Sequence, residues 1–172
     1  MKRSRGFTLV ELMITLALAA IILSLAVPGF QDIIRNNRAA TQSNELVAAL
    51  GLARSEAVRR GARVSLCPST DQASCTGGTD WADGWIVFLD TAANDASPPV
   101  VGGDPLRVWA PLGGNAALTG PVNVRFRPLG DVINAVPPGA PFEHRLPACG
   151  AGEGRDITVN QAGRALVTRV DC

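Results

Sequence analysis

Residues 1–30 read MKRSRGFTLVELMITLALAAIILSLAVPGF, and this stretch decides the fold. Lys2, Arg3 and Arg5 precede any acid, and an apolar run from Phe7 to Val27 follows at once. As a helix those 21 residues would rise about 31 Å, close to one hydrocarbon thickness, while the cations in front hold the short amino terminus in the cytoplasm. The rest of the chain is then expected beyond the membrane. An ordinary secretory signal has an apolar region of about 7 to 15 residues closed by a small-residue cleavage site. This run is longer and begins abruptly at Gly6-Phe7. Glu11 stands out inside it, because an acid near the bilayer centre costs about 2.5 to 3.5 kcal/mol on insertion scales and calls for a partner.

The stretch Arg5-Gly6-Phe7-Thr8-Leu9-Val10-Glu11-Leu12 resembles the class III signal of type IV pilins and type II secretion pseudopilins. That resemblance implies cleavage between Gly6 and Phe7 by a prepilin peptidase, N-methylation of Phe7, and a contact between Glu11 and the new amino terminus of a neighbouring subunit. The chemistry is consistent, since an ammonium enters a membrane only when neutralised, and a carboxylate on an adjacent helix does this. The expected division is a leader at 1–6, a transmembrane and assembly helix at 7–30, and a periplasmic α+β domain at 31–172.

Past the membrane run, Pro28 and Gly29 predict a kink or local melting, because proline lacks the amide donor and crowds the preceding turn. The helical period then resumes. Leu46, Leu50, Ala53 and Ala57 share one face, and Arg59, Arg60 and Gly61 mark the end by dipole compensation and a glycine cap. Some 54 helical residues would reach about 80 Å. Beyond Gly61 the pattern alternates, with strand-like runs at 63–66, 85–89, 106–109, 122–126, 156–159 and 165–170. Residues 92–105, 111–121 and 137–141 read as loops, and Asn160-Gln161-Ala162-Gly163 as a hairpin turn. The expected architecture is α+β, a long N-terminal helix packed on an antiparallel sheet.

A chain of 172 residues suits one ordinary domain, and 47% hydrophobic with 18% charged residues excludes a disordered tail or a coiled coil. The 16 cations fall to 13 when Lys2, Arg3 and Arg5 leave, against 15 acids, so the mature chain carries about −2. Wholesale attraction to nucleic acid is thereby excluded, and any such binding must be local. Residues 64–106 hold six Asp and no cation, while residues 107–172 hold seven Arg and five acids.

Ala53-Arg54-Ser55-Glu56-Ala57-Val58-Arg59-Arg60-Gly61, then Val64-Ser65-Leu66-Cys67-Pro68, then Trp81 with Gly84-Trp85-Ile86-Val87-Phe88, resemble the FimT/GspH family of minor pilins and pseudopilins. The similarity runs from Arg5 to about Asp90 and returns near Gly163-Arg164. It implies a non-catalytic subunit of the pilin-like fold. The first reading is a minor pilin that helps a type IV pilus to assemble and serves DNA uptake in competence. The second is the H pseudopilin of a type II secretion system, and the third a weak DNA-binding module at the pilus tip. Implied partners are other pilins or pseudopilins through the N-terminal helix, the prepilin peptidase, the bacterial inner membrane and, weakly, DNA. No cofactor and no small-molecule substrate is expected.

Cys67, Cys75, Cys149 and Cys172 lack CxxC spacing, and with one histidine in the chain they do not read as a metal set. In an oxidising periplasm they read as disulfides. Of three pairings the ones local in sequence are preferred, Cys67 with Cys75 and Cys149 with Cys172, contributing about 2.6 and 3.4 kcal/mol by loop closure. His144 stands in a Pro-rich stretch without a nucleophile motif and reads as a surface residue. Trp81, Trp85 and Trp109 read as core. Some FimT members carry a Gly-Arg-x-Arg turn near the C-terminus; here Gly163-Arg164-Ala165-Leu166 keeps the first Arg and has Leu for the second. Arg145 and Arg155 are expected to approach Arg164 through loops and form an arginine cluster suited to phosphate, with Arg54 on the helix apart from it.

Overall fold

Thr8 starts the helix. Its hydroxyl accepts from the Glu11 amide at 3.2 Å, and its carbonyl from the Leu12 amide at 3.2 Å, the arrangement of an N-cap. The computed structural model describes residues 7–134 and 136–172, without the side chains of 25–29, so the leader and Gly6 lie outside the described residues. From the cap, α1 runs Leu9–Arg60, 52 residues, through Pro28 and Gly29 without the expected interruption. One missing amide donor removes one bond from a ladder that the turns on either side maintain.

The chain divides into two units, one ending at Asn37 and the other spanning Arg38–Cys172. In the first, Phe7, Leu9, Ile14, Ile22 and Phe30 are exposed, and Asp32 pairs with Arg35 on the polar end of the segment. Among the described residues no helix is long and apolar enough to cross a membrane; the apolar run of the sequence continues into residues 25–27, whose side chains are outside that set.

In the second unit, the end of α1 buries Leu46, Ala49, Leu50, Ala53 and Ala57, a stripe at helical spacing. It stops at Gly61, which takes φ 60° while its amide donates to Val58 O and that of Ala62 to Ala57 O, the double bond pattern of a Schellman cap. Eight strands follow: β1 Val64–Pro68, β2 Trp85–Leu89, β3 Arg107–Trp109, β4 Ala117–Thr119, β5 Val124–Phe126, β6 Phe142–Arg145, β7 Gly154–Val159 and β8 Ala165–Val170. They form two antiparallel sheets, ordered β3-β2-β1-β5 and β4-β6-β7-β8. Leu66 pairs with Val87 and Val124, and Ile157 with Phe142 and Val167, so apolar residues meet across each ladder.

One core joins the α1 stripe to both sheets. Trp81 meets the Phe142 ring edge-on at 4.9 Å and donates its indole N–H to Pro121 O at 2.9 Å. Trp85 stacks on Trp109 at 5.9 Å. A polar knot ties the first sheet: Asp90 Oδ2 accepts from the Ser65 hydroxyl at 2.8 Å and from Arg125 Nε at 2.5 Å, while Oδ1 accepts the Ala92 and Val100 amides, each at 3.0 Å.

Candidate functional site

Along α1, the positions one step past the buried stripe turn toward the β7–β8 hairpin. Val47, Gly51, Arg54 and Val58 line a groove of about 670 Å³ whose other wall is Gly163, Arg164 and Ala165. The turn that forms this wall is tightly specified. The Gly163 amide donates to Asn160 O at 2.8 Å, the Asn160 amide to Arg164 O at 3.1 Å, and the Arg164 amide to Asn160 Oδ1 at 2.9 Å. Gly163 has φ 74° and no room for a Cβ, which would collide with Gly130 O and sit 3.1 Å from the Phe126 ring. Only glycine fits there. The consequence is an Arg164 held at the groove rim with its side chain exposed.

Arg54 completes the rim, donating Nε to Gly130 O at 3.1 Å. Expected from the sequence to stand apart from Arg164, it shares one groove with it in the fold. Arg59 also lines the groove, but Glu56 accepts its Nε and Nη2 at 3.1 and 2.6 Å and also binds Arg60. Those bonds from Arg59 and Arg60 hold the Glu56 carboxyl below its ordinary range.

The other two arginines expected near Arg164 do not come by loops. Arg155 lies in β7, 3% exposed, with Nη1 donating to Gly152 O at 2.9 Å and Gly154 O at 2.8 Å. Burial first, then the facing Arg169, push its guanidinium below the ordinary value. Arg145 closes β6, where Nη1 donates to His144 O and lies 2.9 Å from Asp156 Oδ1. Strand pairing has turned Arg155 inward beside His144, and Arg145 lies half-buried on the opposite face, paired with Asp156.

His144 is not a surface residue. It is fully buried on β6, its Nε2 2.8 Å from Gln42 Oε1, while Gln42 Nε2 donates to Gly113 O at 2.8 Å. Burial, reinforced by the charges of Arg155 and Arg145, lowers its pKa to about 4. The imidazole is therefore neutral, and Nε2–H donates to Gln42. Because an unfolded chain takes up this proton near 6.5 and the folded one near 4, stability is full above pH 6.5 and falls as pH drops toward 4, by up to about 3 kcal/mol. Denaturant melts across that range should flatten in His144→Phe, and an unchanged pH slope would remove this assignment.

Cys67 on β1 is bonded to Cys75 with Cα atoms 5.5 Å apart, and Cys149 to Cys172 with Cα atoms 5.8 Å apart. Phe7 and Glu11 lie in the first unit, both exposed.

Against known proteins, residues 42–163 match the family model of the type II transport protein GspH, and residues 1–27 that of the prokaryotic N-terminal methylation motif. The pilin-like protein PilA1 of Thermus thermophilus is 29% identical over 171 residues, covering 94% of this chain and 96% of that one. The type IV major alpha-pilin of Moraxella bovis is 42% identical over 48 residues, so the match covers 28% of this chain and under a third, 30%, of that pilin. Two crystal structures of the type IV minor pilin FimU of Pseudomonas aeruginosa share the fold, with TM-scores of 0.57 and 0.54 at 21% and 22% identity. They cover 77% and 75% of this chain and 89% and 91% of theirs. With the family model spanning most of the second unit and the methylation motif ahead of it, the chain belongs to the GspH family of pilin-like proteins.

Proposed function

We propose that this chain is a minor pilin of a type IV pilus, a non-catalytic subunit that enters the fibre through the first part of α1 and helps it to assemble. The observation that carries the reading is Glu11, the only charged residue from Phe7 to Gln31, on a helix segment whose apolar side chains are exposed. Once such a segment enters a membrane or a fibre its carboxylate requires a cation, and the amino terminus freed at Phe7 in a neighbouring subunit would supply one. Prepilin peptidase would create that terminus, with N-methylation at Phe7. Before assembly the same segment anchors the chain in the bacterial inner membrane, with residues 31–172 in the periplasm. The bonds Cys67–Cys75 and Cys149–Cys172 suit that oxidising compartment.

The match to a type II transport protein favours a second reading, the H pseudopilin of a secretion system. Deleting the gene and scoring twitching, DNA uptake and secreted proteins side by side separates the two. Lost twitching with intact secretion supports the pilus, and lost secretion with normal pili overturns it.

DNA contact is the finer part of the proposal. The groove arginines form a local cationic spot on a mature chain of about −2, so duplex DNA should bind weakly, without sequence preference, and fade with salt. Arg164→Ala should lower the slope of log affinity against log salt by about 1, across all sequences alike. Arg54→Ala should do the same from the opposite wall. Arg127→Ala should not, because Asp131 and Asp95 already hold that guanidinium at 2.7 and 2.9 Å. An effect of Arg127 equal to that of Arg164 would return the groove to ordinary surface charge.

A further inference from the structure

Two four-stranded sheets present four edges, and three of them are short or covered. Along β5 the chain's own residues 131–133 fold back, with the Arg127 amide donating to Asp131 O at 2.9 Å and the Ile133 amide to Arg125 O at 3.0 Å. Along β4 the Trp81 amide donates to Leu118 O at 2.7 Å and that of Gly120 to Thr79 O at 3.0 Å. The third edge, β3, is three residues long. At the end of the second sheet, β8 is six residues long, and among the described residues no strand or loop bonds to its outer side.

The hairpin turn fixes which groups are open. Because the Asn160 amide bonds Arg164 O, and antiparallel pairs alternate, Leu166, Thr168 and Val170 face β7 while Ala165, Val167 and Arg169 turn their N–H and C=O groups outward. Native sheets blunt such edges with proline, charged side chains or a bulge. Ala165–Val170 has no proline and no bulge, its single charge is Arg169 near the far end, it pairs with β7 in unbroken register, and it leaves Leu166 64% exposed.

Charge selects the occupant. Arg164 stands just ahead of the edge, with Arg54 across the groove that Ala165 also lines, and Arg169 stands near its far end. A second copy pairing antiparallel along β8 would gather four arginines and no acid along residues 164–170 of the two strands, because each brings its own Arg164 and Arg169. An extended segment with acidic residues at its ends meets the opposite condition. We propose that β8 accepts an added strand from another protein subunit: an extended, acid-bearing segment bonds the outward groups of Ala165, Val167 and Arg169, with one acidic end at Arg164 and Arg54 and the other at Arg169. This assignment holds for a pilus or a secretion pseudopilus alike, and it shares only the groove arginines with the DNA reading.

The test uses the full chain in detergent micelles, titrated with a synthetic peptide in which aspartates flank alternating valine and threonine. Amide exchange should slow at Ala165, Val167 and Arg169 and stay unchanged at Leu166 and Thr168. Val167→Pro deletes one outward donor without removing a bond to β7, so it should weaken the peptide about tenfold, the size of one main-chain hydrogen bond, and leave duplex DNA affinity unchanged. Arg164→Glu should weaken both ligands. Ala165→Pro supplies an independent edge variant should Val167→Pro not fold. Peptide binding that survives in a folded edge-proline variant overturns the proposal. So does absence of peptide-dependent protection along β8, protection that grows with protein concentration alone, or protection elicited by DNA in place of peptide.

Discussion

Gly6→Asp should leave the chain as full-length precursor, whereas Glu11→Val should be cleaved normally and then enter fibres on the order of a hundredfold less than wild type. The difference follows from the role that the proposed function gives each residue. Gly6 would set the peptidase site, so that a charged side chain at the scissile bond blocks processing before any assembly step. Glu11 would act later, when an amino terminus at Phe7 must pass into an apolar setting; leaving that charge unmatched costs about 2.5 to 3.5 kcal/mol, which sets the size of the loss. Immunoblots of whole cells and sheared fibres read both outcomes. Wild-type amounts of the Glu11→Val subunit in fibres would remove the pairing argument.

Asp90→Ala should lower stability by about 3 to 5 kcal/mol, the range for a buried ion pair that loses one partner. Arg125 is 3% exposed and would keep its charge with no carboxylate beside it, while the Ala92 and Val100 amides lose their acceptor. Burial works to raise the Asp90 carboxyl, but those two amides, the Ser65 hydroxyl and Arg125 together hold it below the ordinary value. Its contribution is therefore complete above pH 3.8 and is lost only as pH falls further, a window below the one in which His144 acts. Asp90→Asn keeps an acceptor for the amides and should cost less. A loss under about 1 kcal/mol in Asp90→Ala would mean that Arg125 finds solvent in the variant.

Helix and hairpin were legible because their signals are local. Leu46, Leu50, Ala53 and Ala57 announce a buried face, Gly61 its end, and the runs Trp85–Leu89 and Ala165–Val170 are the strands β2 and β8 residue for residue. The strands β4 and β6 were not legible. Ala117–Thr119 is three residues inside a Gly- and Pro-rich stretch, and Phe-Glu-His-Arg shows no apolar alternation until it is known that His144 points inward. What buries His144 is Gln42, 102 positions earlier, and no window along the chain reveals such a partner. The same limit governs the groove: Gly163-Arg164 was readable as a turn carrying an arginine, but the meeting with Arg54 comes from the packing of α1 on the second sheet. Register alone decided against Arg155, since strand pairing buries a charge that reads as exposed in a Gly-rich run.

The two disulfides also matter to a subunit under load. In a fibre that transmits tension through α1, pulling can lengthen the domain only by paying out chain that is not looped shut. The bonds Cys67–Cys75 and Cys149–Cys172 close off separations of 8 and 23 residues, hiding about 110 Å of contour at about 3.5 Å per residue. The β7–β8 hairpin, with its open edge and its groove arginine, lies inside the larger loop and cannot be drawn out, so a stretched subunit would keep that hairpin covalently closed.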